Sequence, residues 1–357
     1  MFTEPTVFLL GAGASWHYGF PTGEELIHLV VAQARLVQRH LPDLIRHEMP
    51  QNFISDHAET NALSVEESGR QIALQLAELA YRIEYESPPT IDWFIGRYPH
   101  LGPTTRLLIA NVLVTSELQW DFSRKNKNRA DNADEEDDWL KHIAHTLKSG
   151  CSSFEDIFKN TVNFVTFNYD TSIERALHSS LLADTLLEKH AVERFLKERI
   201  VHLYGSTRVE YIPQVYLNAL DPMLREERPK FLNHAYQCCH DISVVAPDEK
   251  TKHPDRFEQA HEWISQCSNL FILGYGFDQT NNSLLRLRDA VWNHKPKNVY
   301  LTNFKLKDSI TKAAGMALVG NEAAFQNKVG ACSLGLNKFH IASCNVPDAL
   351  KEFGIRN

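Results

Sequence analysis

The segment at the amino terminus constrains the fold of this chain more than any other part of its sequence. Residues 6–10 (T-V-F-L-L) are apolar and β-branched enough to predict a buried strand, and Gly11-Ala12-Gly13-Ala14-Ser15 follows directly. The two glycines let the backbone turn sharply and approach a ligand closely. Ser15 is placed to cap the helix that starts nearby, and a helix N-terminus is a ready phosphate site. The segment therefore predicts a nucleotide ligand at the start of the chain.

The same segment departs from the ordinary dinucleotide-binding fingerprint, G-x-G-x-x-G. Trp16 takes the place of the third glycine, and Gly19 comes three residues late. No second strand ending in an acidic residue follows about 20 positions further on. An NAD-dependent dehydrogenase, the default interpretation of such a turn, therefore fits poorly.

The bulk properties of the chain bound the class of protein. Its 357 residues, 43% of them hydrophobic, exceed one average domain and can bury a substantial core. A formal net charge of −8 argues against a broad surface for phosphate backbones, so we expect no direct nucleic-acid binding. No apolar run approaches the ~20 residues that cross a membrane, and no signal peptide is evident. We expect a soluble, cytoplasmic protein without membrane contact.

The cysteines favour reduced thiols over a metal module or disulfides. None of the six forms a C-x-x-C pair, so a zinc ribbon is not predicted and we expect no metal. A long chain without a signal peptide is typical of a reducing compartment. The cysteines are Cys151, Cys238, Cys239, Cys267, Cys332 and Cys344.

The order of the predicted elements indicates an α/β fold. Residues 24–158 are mostly helical in pattern, and the charged stretch near 121–138, almost without core-forming residues, predicts a mobile solvated loop. From residue 159 strands alternate with helices, which implies a Rossmann-like, mostly parallel sheet with helices on both faces. The predicted strands lie at 162–167, 200–204, 242–246, 269–273 and 298–301.

Three parts of the chain follow from this pattern. We expect residues 1–23 and 159–310 to form the Rossmann-type domain, since the first strand most naturally joins its sheet. Residues 24–158 would then be a large, mainly helical insertion, and residues 311–357 a C-terminal extension.

Polar residues follow the predicted strands at the edge where open parallel sheets bind ligands. In Thr166-Phe167-Asn168-Tyr169-Asp170, the Asn168 amide can both donate and accept, so it can hold a hydroxyl or a water. A structural alternative is that Asn168 and Asp170 cap the helix beginning near Thr171.

A histidine and a tyrosine lie where the 200–204 strand enters a glycine turn, Gly205-Ser206. Because side chains alternate along a strand, His202 and Tyr204 are expected to face the same side and to reach one pocket. A lone histidine in such a place is more often a structural residue than a catalytic one.

Two more strands end in residues suited to a ligand. Gly274-Tyr275-Gly276-Phe277-Asp278 follows the 269–273 strand, and its glycines permit close ligand approach. Asn303 ends the last predicted strand with a side chain suited to adenine or ribose.

Taken in order, these motifs resemble those of the sirtuin-like proteins of bacterial anti-phage defence. The family pattern is G-A-G-[AS]-S, a proline-threonine step, T-x-N-Y-D, a histidine-glycine turn, and G-[YT]-[SG]-F-x-D with a nearby asparagine. Ile91-Asp92-Trp93-Phe94 is similar to the family's I-D-x-F/L segment, and Ala246-Pro247 with Lys250 to its P-x-x-K stretch. The resemblance spans roughly residues 5–305.

The resemblance implies a fold that binds NAD as its substrate and hydrolyses it to nicotinamide and ADP-ribose. Asn168 would position the nicotinamide ribose or the attacking water, and Asp170 would shape that pocket. The pyrophosphate and adjoining ribose would be held by Gly11, Ala12, Gly13 and Ser15. The adenosine half would be bordered by Gly274, Gly276 and Asn303. The other expected binding residues are Pro21, Thr22, Tyr204, Gly205, Ser206, Tyr275 and Asp278.

This chain departs from the family pattern at the residue expected to act as the catalytic base. Cleavage of the nicotinamide–ribose bond builds positive charge on the sugar, so the site needs orientation, a placed water and a base. The family usually has histidine directly before the turn glycine, where this chain has Tyr204. His202 lies two residues earlier, about 6–7 Å further back along a strand. We expect retained activity with Asn168 and His202 as catalytic residues, while a hydroxyl role for Tyr204, a dispensable histidine and an inactive enzyme stay open.

Three functions follow from the resemblance. The first is an NAD hydrolase that depletes NAD as the effector of abortive infection. The second is a non-catalytic subunit that binds NAD or ADP-ribose within a defence complex. The third, a protein deacylase, needs a small zinc module with paired cysteines that this sequence lacks.

A constitutive NAD hydrolase would kill its host, so we expect a control layer. The resemblance implies a partner encoded alongside, such as a HerA-type ATPase, a short Argonaute or a nucleotide pyrophosphatase. We expect a homo- or hetero-oligomer, with the helical insertion as its assembly surface.

Overall fold

The fold is described from a computed structural model. The described residues are 1–47, 65–126, 138–183, 187–207, 235, 237–240, 242–243, 253–292 and 295–355. Of the charged stretch near 121–138, residues 121–126 form the end of a helix, and 127–137 lie outside the described residues. Lys250 and residues 244–246 also lie outside them, and 242–243 are not in a strand.

In the part of the chain that the structure describes, a seven-stranded sheet with the order β3-β2-β1-β4-β5-β7-β6 forms the centre of the fold. All neighbouring strands are parallel except β6 and β7, which confirms the predicted Rossmann-like α/β class. The strands are β1 (Thr6–Leu10), β2 (Val162–Thr166), β3 (Ile200–His202), β4 (Asn269–Leu273), β5 (Asn298–Thr302), β6 (Gly330–Leu334) and β7 (Asn337–Ala342).

The first strand lies in the middle of the sheet, between β2 and β4, although more than 150 residues separate it from either along the chain. All five of its residues are buried, as a continuous apolar run predicts for a strand covered on both faces. Phe8 and Leu10 pack into the core on one face, and Val7 and Leu9 into the core on the other.

Helices cover both faces of the sheet. The larger core includes side chains from α2 (Gly23–His47), α3 (Val65–Glu86), α4 (Ile91–Arg97), α5 (Gly102–Asn126), α6 (Trp139–Lys148), α7 (Ser172–Leu182), α8 (Lys189–Arg199) and α13 (Val346–Glu352). The opposite core includes side chains from α9 (Pro254–Gln266), α10 (Gln279–Leu285), α11 (Leu287–Trp292) and α12 (Asp308–Val319). A four-residue helix, α1 (Ala12–Ser15), directly follows β1.

Between β1 and β2 the regular structure of the described residues is helical, with short 3₁₀ turns and no strand. This is the segment predicted as a helical insertion. Its helices α2, α3 and α5 pack on one another, and α6 packs on α7 of the sheet-forming part. The insertion therefore shares the larger core with the sheet rather than standing apart from it.

The helix after the turn that follows β4 begins at Gln279 and breaks at Arg286, whose φ of 48° ends the first piece. One part of the predicted division of the chain differs from the structure. Residues 311–357, set apart as a C-terminal extension, contribute β6 and β7 to the same sheet. Of the described helices, none is long and apolar enough to cross a membrane.

Candidate functional site

The glycine turn after β1 packs directly against the turn after β4. A Cβ on Gly11 would lie 2.6 Å from Gly274 O, and one on Gly274 would lie 2.1 Å from Ala14 N. Gly13 N donates to Gly274 O at 3.0 Å, and Gly274 has a φ of +60°. The three glycines are therefore required by the approach of two backbone turns, which brings the two motifs together at one edge of the sheet.

Asn168 joins the turn after β2 to the glycine turn after β1. Its Nδ2 donates to Gly11 O at 3.0 Å and to Ser15 Oγ at 2.9 Å. A carbonyl oxygen can only accept, which fixes the orientation of the amide and turns Oδ1 the other way. Oδ1 accepts no hydrogen bond from the described residues, so it is free to accept one from a hydroxyl or a water.

Asp170 and Ser15 complete a buried network. Ser15 Oγ lies 3.1 Å from Asp170 Oδ1 and 3.2 Å from Ser172 Oγ. Asp170 Oδ1 also accepts from Ser172 N, the first residue of α7, at 3.1 Å, although the N-cap residue of that helix is Thr171. Asn168 turns to β1 instead. Burial raises the pKa of Asp170 above its usual range. The expectation that Ser15 caps a following helix is wrong, because Ser15 ends α1 and its hydroxyl is used in this network.

His202 contacts the backbone of the loop that contains Asn168. Its Nδ1 lies 2.9 Å from Asn168 O and its Nε2 lies 2.6 Å from Glu174 Oε1. Burial alone would lower the pKa of His202, but the Glu174 carboxylate and the two hydrogen bonds raise it above its usual value. With both ring nitrogens engaged, His202 in this arrangement positions the Asn168 backbone and does not present a free base.

Tyr204 does not share the side of the strand that His202 occupies. The strand ends at His202, and the turn that follows, with Gly205 at a φ of +83°, redirects the chain. Tyr204 packs with the rings of Phe167 and Phe257 in the core of the opposite face, and its hydroxyl donates to Asn281 Oδ1. The predicted common side is therefore wrong, because strand alternation stops two residues earlier than expected.

The turn after β4 brings further predicted residues to the same edge. Tyr275 stacks on Phe167 with ring centroids 5.0 Å apart, and its hydroxyl donates to Asn282 Oδ1 at 3.0 Å. Asp278 caps α10 by accepting from Asn281 N at 3.0 Å. Gly276 is exposed with open space around it.

Several residues predicted to bind NAD are hydrogen-bonded within the protein or buried, so their side chains do not face a ligand. Asn303 is buried, donating to Thr311 Oγ1 at 2.8 Å and accepting from Lys307 N at 3.0 Å. Thr22 and Glu25 form a reciprocal cap at the start of α2, which follows Pro21. Ser206 is buried beside Gly205 in the turn after β3.

Glu117, on α5 of the insertion, is a site-forming residue that the sequence did not single out. It is fully buried, and its Oε1 accepts from Thr171 N, Thr171 Oγ1 and Thr207 Oγ1 at 2.9–3.0 Å. Burial raises its pKa above the usual range. One carboxylate thus fastens the loop after β2 to the turn after β3.

Asp92, in the first turn of α4, also reaches this edge. Burial, followed by the charge of Asp278, raises the pKa of its carboxyl group to about 6. A hydrogen bond with the Tyr169 hydroxyl acts in the opposite direction. The I-D-W-F segment was visible in the sequence as a family-like motif, but nothing in it indicated which strand end it would approach. Among the described residues, no group of three or more His, Cys, Asp or Glu side chains is arranged to hold a metal ion.

Searches of protein-family models and of curated protein sequences return no match to this chain. What the site can do chemically therefore follows from its residues. It offers a glycine turn, an amide oxygen with no partner among the described residues, and a rigid hydrogen-bonded support. Such an arrangement suits the orientation of a sugar hydroxyl or a water rather than strong acid catalysis.

Proposed function

We propose that this protein is an NAD hydrolase that cleaves NAD to nicotinamide and ADP-ribose. The single observation that carries the proposal is the bridge from Asn168 Nδ2 to Gly11 O and Ser15 Oγ. The bridge joins two turns whose bonded residues lie at least 153 positions apart in the chain. Both turns lie at the carboxyl ends of adjacent parallel strands, where such sheets bind nucleotides. The order of the motifs, which resembles the sirtuin-like defence proteins, supports the same proposal.

In this proposal the phosphates of NAD lie against the glycine turn and the nicotinamide ribose lies against Asn168. The cationic nicotinamide is a good leaving group, so the site needs to hold the ribose and a water in place as positive charge develops on the sugar. Asn168 Oδ1 accepts a hydrogen bond from the ribose or the water. His202, through Asn168 O, and Glu117, through Thr171, keep the loop in position.

We place this activity in bacterial anti-phage defence, where depletion of NAD stops the infected cell. The support is the motif resemblance, and the role requires a partner that holds the enzyme inactive before infection. The helical insertion, which reaches the site through Glu117 and Asp92, is the surface through which such a partner would act.

A second candidate function is a subunit that binds NAD or ADP-ribose without cleaving it. It is favoured by one observation: both ring nitrogens of His202 and the hydroxyl of Tyr204 are engaged within the protein. A base for the ribose hydroxyl would then be missing at the two positions expected from the sequence.

The release of nicotinamide from NAD separates the two candidates. The purified protein, alone and with any co-purifying partner, is expected to release nicotinamide, and Asn168→Ala is expected to lower the rate at least ~100-fold, about 2.7 kcal/mol of lost orientation. Asn163→Ala, at the other end of the same strand, is the matched control and is expected to keep the wild-type rate. Binding of ADP-ribose without nicotinamide release under any of these conditions would establish the second candidate instead.

A further inference from the structure

The outer edge of β6 is open in the part of the chain that the structure describes. β6 is the last strand of the sheet, and β7 is its neighbour on the inner side. On the outer side its backbone groups form no hydrogen bond with any described residue. An open edge of this kind is a template for a further strand, and proteins normally block it.

The hairpin between β6 and β7 fixes which backbone groups point outward. Leu334 pairs with Asn337 across the turn Gly335-Leu336, and Gly335 has the φ of +60° that the first residue of a type II′ turn requires. The pair that closes such a turn exchanges its hydrogen bonds, and hydrogen-bonded pairs then alternate along the ladder. Ala331 and Ser333 therefore point their N–H and C=O groups away from β7.

The sequence of β6 lacks the features that usually block an edge strand. G-A-C-S-L contains no charged residue and no proline, and its five pairs with β7 run without a bulge. By contrast β3, at the opposite edge of the sheet, is only three residues long. Two exposed apolar side chains, Val329 and Leu336, flank β6. The edge is therefore suited to another uncharged strand.

The strand is complementary to itself in an antiparallel register. A twofold axis beside Cys332, the middle residue of β6, would pair the strand with β6 of a second copy. Ala331 of one copy then lies opposite Ser333 of the other, and these are the residues whose backbone groups point outward. Each such pair exchanges both of its backbone hydrogen bonds, so the register satisfies the open edge of both copies.

The same register also fits the side chains. Leu334 lies opposite Gly330 of the second copy, where a Cβ would meet nothing within 4 Å. Val329 lies opposite Gly335 and beside Leu336 of the second copy, so both exposed apolar side chains are covered. Leu334 already packs against the core that α9, α10, α11 and α12 help to form, so pairing extends this core across the seam.

We propose that β6 pairs antiparallel with β6 of a second copy of this chain, which joins the two sheets into one. A symmetric interface of this kind closes on itself and gives a dimer rather than a filament. The proposal does not depend on the proposed function. Among the described residues, none from 24–158 belongs to the core that β6 packs against, so the helical insertion stays free for a different partner.

Sedimentation of the full chain over the micromolar range measures the dimer. Under reducing conditions we expect the mass to rise from that of one chain to that of two, without species of higher mass. A monomer at every concentration overturns the proposal, and so does continued growth beyond the dimer.

Substitution of Ser333 tests the seam itself. Ser333→Pro removes an N–H that would donate across the seam but has no partner within the described chain, so an edge strand can accept the proline. Ser333→Thr keeps the N–H and is the matched control. We expect Ser333→Pro to raise the dissociation constant of the dimer at least ~10-fold and Ser333→Thr to stay within about twofold of wild type.

Val329→Ser provides a second variant that leaves the ladder of β6 intact, because Val329 precedes the strand and is exposed. It removes apolar surface that the second copy would cover, and we expect it to weaken the dimer a few-fold. A dimer that neither Ser333→Pro nor Val329→Ser weakens overturns the proposal.

Disulfide trapping locates the twofold axis. Opposite residues of a non-hydrogen-bonded pair have Cα atoms about 4.5 Å apart, within the range that a disulfide spans. Diamide, which takes up the two thiol hydrogens as the S–S bond forms, should therefore link Cys332 to Cys332 of the second copy. Cys332→Ser should abolish this covalent dimer, and Cys344→Ser, at another half-buried cysteine, should keep it. A covalent dimer that persists in Cys332→Ser, or a dimer that diamide does not link, overturns the proposal.

Discussion

The network around Asn168 and the carboxyl group of Asp92 differ in how their polar atoms are satisfied. Ser15 Oγ has Asn168, Asp170 and Ser172 as partners, all within the protein. Asp92 Oδ1 is enclosed with no partner among the described residues. The hydroxyl at the centre of the first region, which we call the framework, is therefore paired within the protein, whereas one carboxylate oxygen of Asp92 is not.

The two regions come from different parts of the chain. The framework is made by turns that directly follow strands of the sheet, whereas Asp92 comes from the helical insertion. Substitutions in the framework should therefore cost stability, because each removes hydrogen bonds or disturbs backbone contacts within the protein. The following variants test the framework side, beginning with the largest expected effect.

Gly274→Ala should break the framework at its tightest contact. A Cβ there would lie 2.1 Å from the backbone nitrogen of Ala14, at a φ of +60° that side chains rarely adopt. We expect unfolding in denaturant to show a loss of at least about 3 kcal/mol. Gly276→Ala, two residues on in open space, is the matched control and should stay within about 0.5 kcal/mol of wild type. Equal stabilities of the two variants would show that the turns do not pack as described.

Glu117→Ala should loosen the two loops that the insertion fastens. It removes the acceptor of three hydrogen bonds from a buried position, at a cost of about 3 kcal/mol. Glu117→Gln keeps an oxygen acceptor and should lose about 1 kcal/mol. Denaturant unfolding measures both, and a glutamine variant as unstable as the alanine variant would mean that the charge, not the hydrogen bonds, fastens the loops.

His202→Gln should produce the smallest effect, and one that depends on pH. The pKa of His202 is raised in the folded protein, so its contribution is complete below the ordinary histidine pKa and is lost as the pH rises through the folded-state value. We expect the difference in unfolding free energy from wild type to be about 1–2 kcal/mol at pH 6 and smaller at pH 9. A difference that grows with pH would indicate that His202 is buried as the neutral ring.

Much of the fold was predictable because its central strands are buried apolar runs that end in glycine or asparagine. β1, β2, β4 and β5 all have this form, and each lies within about one residue of its predicted bounds. β6 and β7 were missed for the opposite reason. The residues of β6 alternate between half-buried and exposed at the edge of the sheet, so their sequence carries little apolar pattern.

The candidate site was predictable where a residue follows a strand, as Asn168 does, because parallel strands bring such residues to one edge. The roles of Glu117 and Asp92 were not predictable, since a charged residue on an amphipathic helix gives the same sequence pattern whether it faces solvent or contacts a buried loop. The direction of Tyr204 was missed because the end of β3 depends on how Gly205 turns the chain. These features are set by tertiary packing, which local spacing does not encode.

A crystal structure of the protein with ADP-ribose bound would show whether the nucleotide site lies at the Gly11–Gly13 turn and Asn168. We expect the pyrophosphate to lie against the Gly11–Gly13 turn and Asn168 Oδ1 to accept a hydrogen bond from the ribose remote from the adenine. ADP-ribose bound at another edge of the sheet, or bound here without contacting Asn168, would contradict it.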